Sequence, residues 1–119
     1  QGVSSAASDV YKRQGEYNVD QLKVYLTQGI QELLVVIDTN GIIGAFAVEF
    51  SNFPNDRIAF ITSVGGKAIA DRTLWPVFED WCRSKGATKI RGAAYESVAR
   101  LWRKAFDVQT RYVIVEKQL

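Results

Sequence analysis

Histidine and methionine are absent from the 119 residues, cysteine occurs once and proline twice. Without histidine there is no imidazole general base, no Ser-His-Asp arrangement and no Cys/His zinc site. Cys82 stands alone, so no internal disulfide can form, and no metal is expected. Long apolar runs are missing as well. Residues 33–37 (LLVVI) and 42–48 (IIGAFAV) fall far short of the roughly 18 residues a membrane-spanning helix needs, so no membrane partner is expected. Charge of one sign is lacking too: 15 Lys and Arg against 13 Asp and Glu give +2. These charges are scattered, which does not mark a nucleic-acid surface. The missing methionine, with Gln1 in first place, reads as a frame without its own start.

What is present is ordinary globular composition, 47% hydrophobic and 24% charged, at a length that suits one domain. Residues 4–14 (SSAASDVYKRQ) resemble a translated transposase-type sequencing adapter. Residues 1–14 therefore read as an assembly artefact or a disordered tail, and 15–119 as the domain itself.

From Asn18, the apolar residues Val19, Leu22, Val24, Tyr25 and Leu26 recur at helical spacing, and Gly29 sits where helices stop. Residues 32–38 (ELLVVID) and 41–51 (GIIGAFAVEFS) read as strands. Thr39-Asn40-Gly41 supplies an Asn-Gly pair that favours a type I′ turn between them. Residues 57–64 (RIAFITSV) complete an antiparallel meander, and Gly65-Gly66 are expected to break it. Leu74, Trp75, Phe78, Trp81 and Cys82 then follow helical spacing up to Gly86, and Pro76 makes Thr73 the favoured cap. Residues 89–94 (KIRGAA) read as a strand parallel to 57–64 through a right-handed crossover. Ser97 is placed to cap a last helix, and 108–117 (VQTRYVIVEK) alternates like a final strand. The fold class expected is α/β (α+β): a mixed sheet with an antiparallel meander, a β-α-β crossover, a last helix and a C-terminal strand.

This order of elements over residues 18–117 resembles the GNAT acyltransferase fold without its first strand and first helix. Three segments carry the likeness. One is Gly-Gly-Lys-Ala-Ile-Ala after the meander. Another is the helix end Trp81-Cys82-Arg83-Ser84-Lys85-Gly86-Ala87, and the third is Ala99-Arg100-Leu101-Trp102-Arg103-Lys104-Ala105-Phe106. In overall style it is similar to small GNAT-like proteins of bacteriophages. The resemblance implies acetyl-coenzyme A as cofactor, held by Thr62, Ser63, Val64, Gly65, Gly66, Lys67, Ala68, Ile69 and Ala70. Main-chain N–H groups and a helix N-terminus would meet the pyrophosphate. Two positions depart from the family pattern: Gly65 replaces an Arg or Gln, and Ala68 replaces the first glycine.

The implied activity is N-acetyl transfer to an amine of a small molecule or a protein, in the cytoplasm of a cell or phage host. The alternative is a catalytically inactive GNAT-fold protein that serves as a phage virion or interaction component. A homodimer is a further candidate assembly. With no histidine, the candidate catalytic groups are Glu49 and Tyr95. Glu49 interrupts an apolar run on the face of Ala45 and Ala47, where a solvated strand position is its ordinary reading. Tyr95 falls at a strand-to-helix junction, where a half-buried ring with a wet hydroxyl is the plain reading. Trp102 stands where the family often has an acid tyrosine, and an indole cannot protonate a thiolate in that role.

Overall fold

The computed structural model describes residues 24, 27–66 and 71–119. The adapter-like segment, most of the first expected helix, and Lys67, Ala68, Ile69 and Ala70 lie outside them. Three strands, β1 (Glu32–Asp38), β2 (Gly41–Asn52) and β3 (Arg57–Gly66), form the antiparallel meander. Helix α1 (Trp75–Ser84) crosses to β4 (Lys89–Gly92), which is parallel to β3, and α2 (Glu96–Ala105) follows. The sheet order is β1-β2-β3-β4. Among the described residues, no helix is long and apolar enough to cross a membrane.

One face of the sheet carries the core. Phe46, Val48, Ala59, Ile61 and Val64 pack there against Trp75, Phe78 and Cys82 of α1 and against Trp102 and Phe106 at the end of the chain's last helix. The Phe46 and Phe78 rings stack at 4.2 Å between centroids, and those of Trp75 and Phe106 at 4.3 Å. Both helices are therefore fastened to the same face and to each other by aromatic contacts. The expected apolar stripe of α1 is the buried one, and Val77, just off it, is exposed.

Cys82 belongs to this core. Burial, then the nearby Glu79, pushes its thiol up to about 11. A pKa raised by folding means that this stabilisation is complete below the unfolded value, near 8.5, and is lost as pH climbs toward 11. At pH 8 an aromatic disulfide reagent is expected to modify native Cys82 at least ~100-fold more slowly than the urea-unfolded chain. Equal rates would show that the α1 core is open.

Several local expectations are corrected. The β1–β2 turn is not type I′. Asp38 pairs with Gly41, leaving Thr39 and Asn40 at the turn, and Asp107 is the one non-glycine residue described with positive φ. Gly41 takes the positive φ of +114° instead, and Asp38 Oδ1 accepts the Asn40 N–H at 2.7 Å. Thr73 does not cap α1, since Leu74 holds that position and Asp71 binds the turn before it. Asp71 Oδ1 accepts both the Thr73 N–H (2.8 Å) and the Thr73 hydroxyl (2.6 Å). Ser97 lies inside α2. Extended Tyr95 is the residue that precedes it, its carbonyl accepting from Val98 and Ala99. Gly86 does end α1 as expected, at φ +84°, with Ala87 N–H bonded to Cys82 O and Gly86 N–H to Arg83 O.

The expected final strand is absent: residues 107–119 have no regular structure and 109–119 are exposed. Alternation defines two faces but supplies no partner, and the edge strand β4 is only 4 residues long.

At the start of β3 a polar clamp joins three elements. Arg57 Nε donates to Lys85 O at the end of α1 (2.9 Å), and Arg57 Nη1 donates to Asn52 Oδ1 (3.0 Å). Its guanidinium lies 4.9 Å from the Phe50 ring centroid. Thr88, just before β4, accepts the Arg57 N–H and donates to Asp56. Lys89 beside Asp56, together with that Thr88 hydroxyl, holds the Asp56 carboxyl below the usual carboxylate range.

Candidate functional site

The β3–β4 ladder runs from Ile58↔Lys89 to Ile61↔Gly92 and stops. β4 ends at Gly92, short of the expected Ala94, whereas β3 continues to Gly66. Residues Ser63 to Gly66 are paired to β2 on one side and, like Thr62, to no described strand on the other. The result is a fork between β3 and the segment Gly92-Ala93-Ala94-Tyr95, whose β3 arm has, among the described residues, a free backbone edge.

Thr62 is a β-bulge at the point of divergence. The pairing passes from Ala47↔Ser63 to Val48↔Ile61, so Thr62 is an extra residue in β3. The bulge lets Ile61 and Val64, three apart, both join the core. It also turns Thr62 and Ser63 into a buried polar cluster with Gln31 on the other face. Thr62 Oγ1 lies 2.6 Å from Gln31 Oε1 and 3.1 Å from Ala47 O. A hydroxyl has one hydrogen, and Gln31 Nε2 is buried without a partner in this orientation. Turning the amide over gives each donor an acceptor, Gln31 Nε2 donating to Thr62 and Thr62 to Ala47 O, and puts Oε1 in the place that has no partner. The entry to β1 is thereby tied to the bulge. Gln31 was not singled out from sequence, because a polar residue ahead of a strand gives no periodic signal.

Five of the residues expected at the cofactor, Thr62, Ser63, Val64, Gly65 and Gly66, occupy the free arm of the fork. The two glycines do not break β3 but finish it, pairing with Ala45 and Gly44. Gly66 has φ +63°, and a Cβ there would lie 2.8 Å from Gly44 Cα and still closer to the Ile43 carbonyl. Close approach of β2 and β3, rather than a loose turn, is what requires glycine.

Trp102 fills the crotch of the fork. A Cβ on Gly92 would lie 2.8 Å from Trp102 Cζ3 and 3.6 Å from Ile61 Cβ, so the glycine makes room for the indole. Glu49 pairs with Phe60 and shares the face of Ala47 and Ser63. Phe60 in turn pairs with Arg91, which sets Glu49 two strands from β4, about 10 Å away at ordinary strand spacing. Tyr95 lies beyond the end of β4 and is 66% exposed, more open than the half-buried position expected. Glu49, on β2 beside the closed part of the ladder, and Tyr95, on the β4 arm, are not brought together, and no hydrogen bond joins them.

No protein-family model and no curated protein matches this sequence. Solved structures do match. An aminoglycoside acetyltransferase from an uncultured soil metagenomic sample, solved with trehalose and with sisomicin, is similar over 99% of this chain and 86% of its own, at TM-score 0.69 and 13% identity. A probable acetyltransferase is similar over 98% of this chain and 91% of its own, at TM-score 0.66 and 9% identity. A "predicted acetyltransferase" from Clostridium acetobutylicum, solved with acetyl-CoA, is similar over 84% and 71%, at TM-score 0.60 and 15% identity. The architecture is a GNAT-like mixed α/β fold, the fold of these acetyltransferases.

Proposed function

We propose that this chain binds acetyl-coenzyme A along the free arm of the fork and transfers the acetyl group to an amine. The supporting observation is the strand edge Thr62–Gly66, left unpaired where β3 and β4 part. A cofactor arm rich in amides fits such an edge as an added strand does, through main-chain bonds that need no particular side chain. That tolerance accommodates the departures at Gly65 and Ala68 from the family pattern. The pyrophosphate end falls to Lys67–Ala70 and the start of α1. Asp71 already occupies one donor there, the Thr73 N–H.

The bound cofactor supplies an activated acyl carbon, and the chain supplies proton traffic. Glu49 takes the proton of the incoming amine, directly or through one water, and the Tyr95 hydroxyl gives a proton to the departing sulfur. Small-molecule amines are the first acceptors to test, because one structural neighbour was solved with sisomicin.

Calorimetric titration of the full chain with acetyl-coenzyme A tests the reading. Saturation below millimolar is expected, together with a thermal shift that grows with ligand. Glu49→Gln should keep that affinity and lower kcat by about 10²–10⁴-fold. No heat and no shift at millimolar cofactor would overturn the assignment.

A further inference from the structure

Two buried polar side chains at the bulge have unmet hydrogen bonds. Ser63 is 1% exposed and its Oγ has no partner, while Gln31, 2% exposed, keeps one amide atom unpaired in either orientation. A hydroxyl buried without a partner costs stability, so its presence at this place points to a partner that arrives from outside the chain. The bulge is what sets it there. Strict alternation from Ile61 would aim Ser63 at the helix-bearing core, but with Thr62 as an extra residue it falls opposite Ala47, on the face of Ala45 and Glu49. β4 has already left by that point, and the strand edge beside Ser63 is unpaired among the described residues.

We infer that the Ser63 hydroxyl donates a hydrogen bond to the carbonyl oxygen of the bound acyl group, and so tells an acyl-coenzyme A from the free cofactor. Granted the cofactor edge proposed above, on which this assignment rests, reach selects the position. Between its phosphate oxygen and its sulfur the pantetheine arm has about twelve bonds, the backbone length of about four residues, or ~13 Å when extended. With the pyrophosphate at Lys67–Ala70, the sulfur falls beside Ser63 and the carbonyl carbon is the next atom.

The other polar groups at the bulge are committed or of the wrong kind. Thr62 gives its single hydrogen to Ala47 O and accepts from Gln31 Nε2, and the Gln31 atom left over, Oε1, is an acceptor that cannot hold a carbonyl oxygen. Ser63 Oγ–H is the side-chain donor there with no partner at all. A serine hydroxyl reorients about a single χ1 torsion, from the face of the strand toward its edge.

Calorimetric titration of the full chain with coenzyme A, acetyl-coenzyme A and S-ethyl-coenzyme A reads the contact, the last being a thioether of the acetyl compound's size that lacks the carbonyl oxygen. The wild type is expected to bind acetyl-coenzyme A about three- to tenfold more tightly than the thioether, the worth of one hydrogen bond. Ser63→Ala should abolish that preference and leave the affinity for coenzyme A within about twofold. Its melt without ligand should stay level or rise, because an unsatisfied hydroxyl has been removed. A merely structural serine would do the reverse, lowering the melt on substitution and sparing the preference. A lower melt, a preference that survives Ser63→Ala, an equal loss for all three probes, or a wild type without preference would each overturn the inference while cofactor binding stands. Silence of the wild type toward all three probes would instead overturn the cofactor edge, and the role of Ser63 with it.

Discussion

Phe78→Ala is expected to remove roughly 3–5 kcal/mol, the usual cost of deleting a fully buried phenylalanine side chain. Phe78 is 1% exposed, stacks on Phe46 of β2, and lies 5.4 Å from Trp75 and 6.2 Å from Trp81 between ring centroids. Rings of this size cannot collapse into the space left by one of their number without giving up their own stacking. Domains of this length are stable by about 5–15 kcal/mol, so the variant should lose a large share of its stability and unfold at a much lower urea midpoint. Val77, the preceding residue, is 66% exposed, and Val77→Ala should stay within about 0.5 kcal/mol. Urea titration of both variants checks the pair. Similar midpoints would mean that α1 does not sit on β2 through this residue.

Gly66→Ala should cost roughly 2–4 kcal/mol from two sources. Its φ of +63° strains any side-chain-bearing residue, and the new Cβ meets backbone at Ile43 and Gly44. Backbone in a paired strand cannot step aside as a flexible side chain does. Gly29 is the internal control, with φ +75° and nothing within 4 Å of an added Cβ. Gly29→Ala should therefore show the conformational part alone, about 1 kcal/mol. If the two variants melt together, β2 and β3 do not close on Gly66.

The meander, the crossover and the buried stripe of α1 were legible because each rests on a periodic apolar pattern longer than one turn or one strand. The misreadings concern groups whose fate depends on a single neighbour. The Asn40-Gly41 pair does not make the type I′ turn because the Asp38 carboxylate holds the Asn40 N–H, and Thr73 does not cap because Asp71 takes its N–H and hydroxyl. Gly65 and Gly66 were read as a break because glycine is uncommon in strands, yet here glycine is what lets β2 come close. Residues 108–117 alternate convincingly, but pairing requires a partner edge that no local pattern reports. For the proposed cofactor edge, the order of elements and the family resemblance point to the stretch Thr62–Gly66. The bulge at Thr62 was hidden, because one extra residue in a β-branched run leaves the composition unchanged. Gln31 was hidden for a similar reason, since its partner lies 31 residues away.

The clamp around Arg57 gives the fork a mechanical character. The two arms are riveted at one end, by Arg57 to the Lys85 carbonyl and by Asp56 to Thr88 and Lys89. Four residue pairs farther on they part, the β3 arm staying paired to β2. The angle at which the arms part is thus set between two fixed points, the Arg57 clamp at the closed end and the Trp102 indole where they diverge.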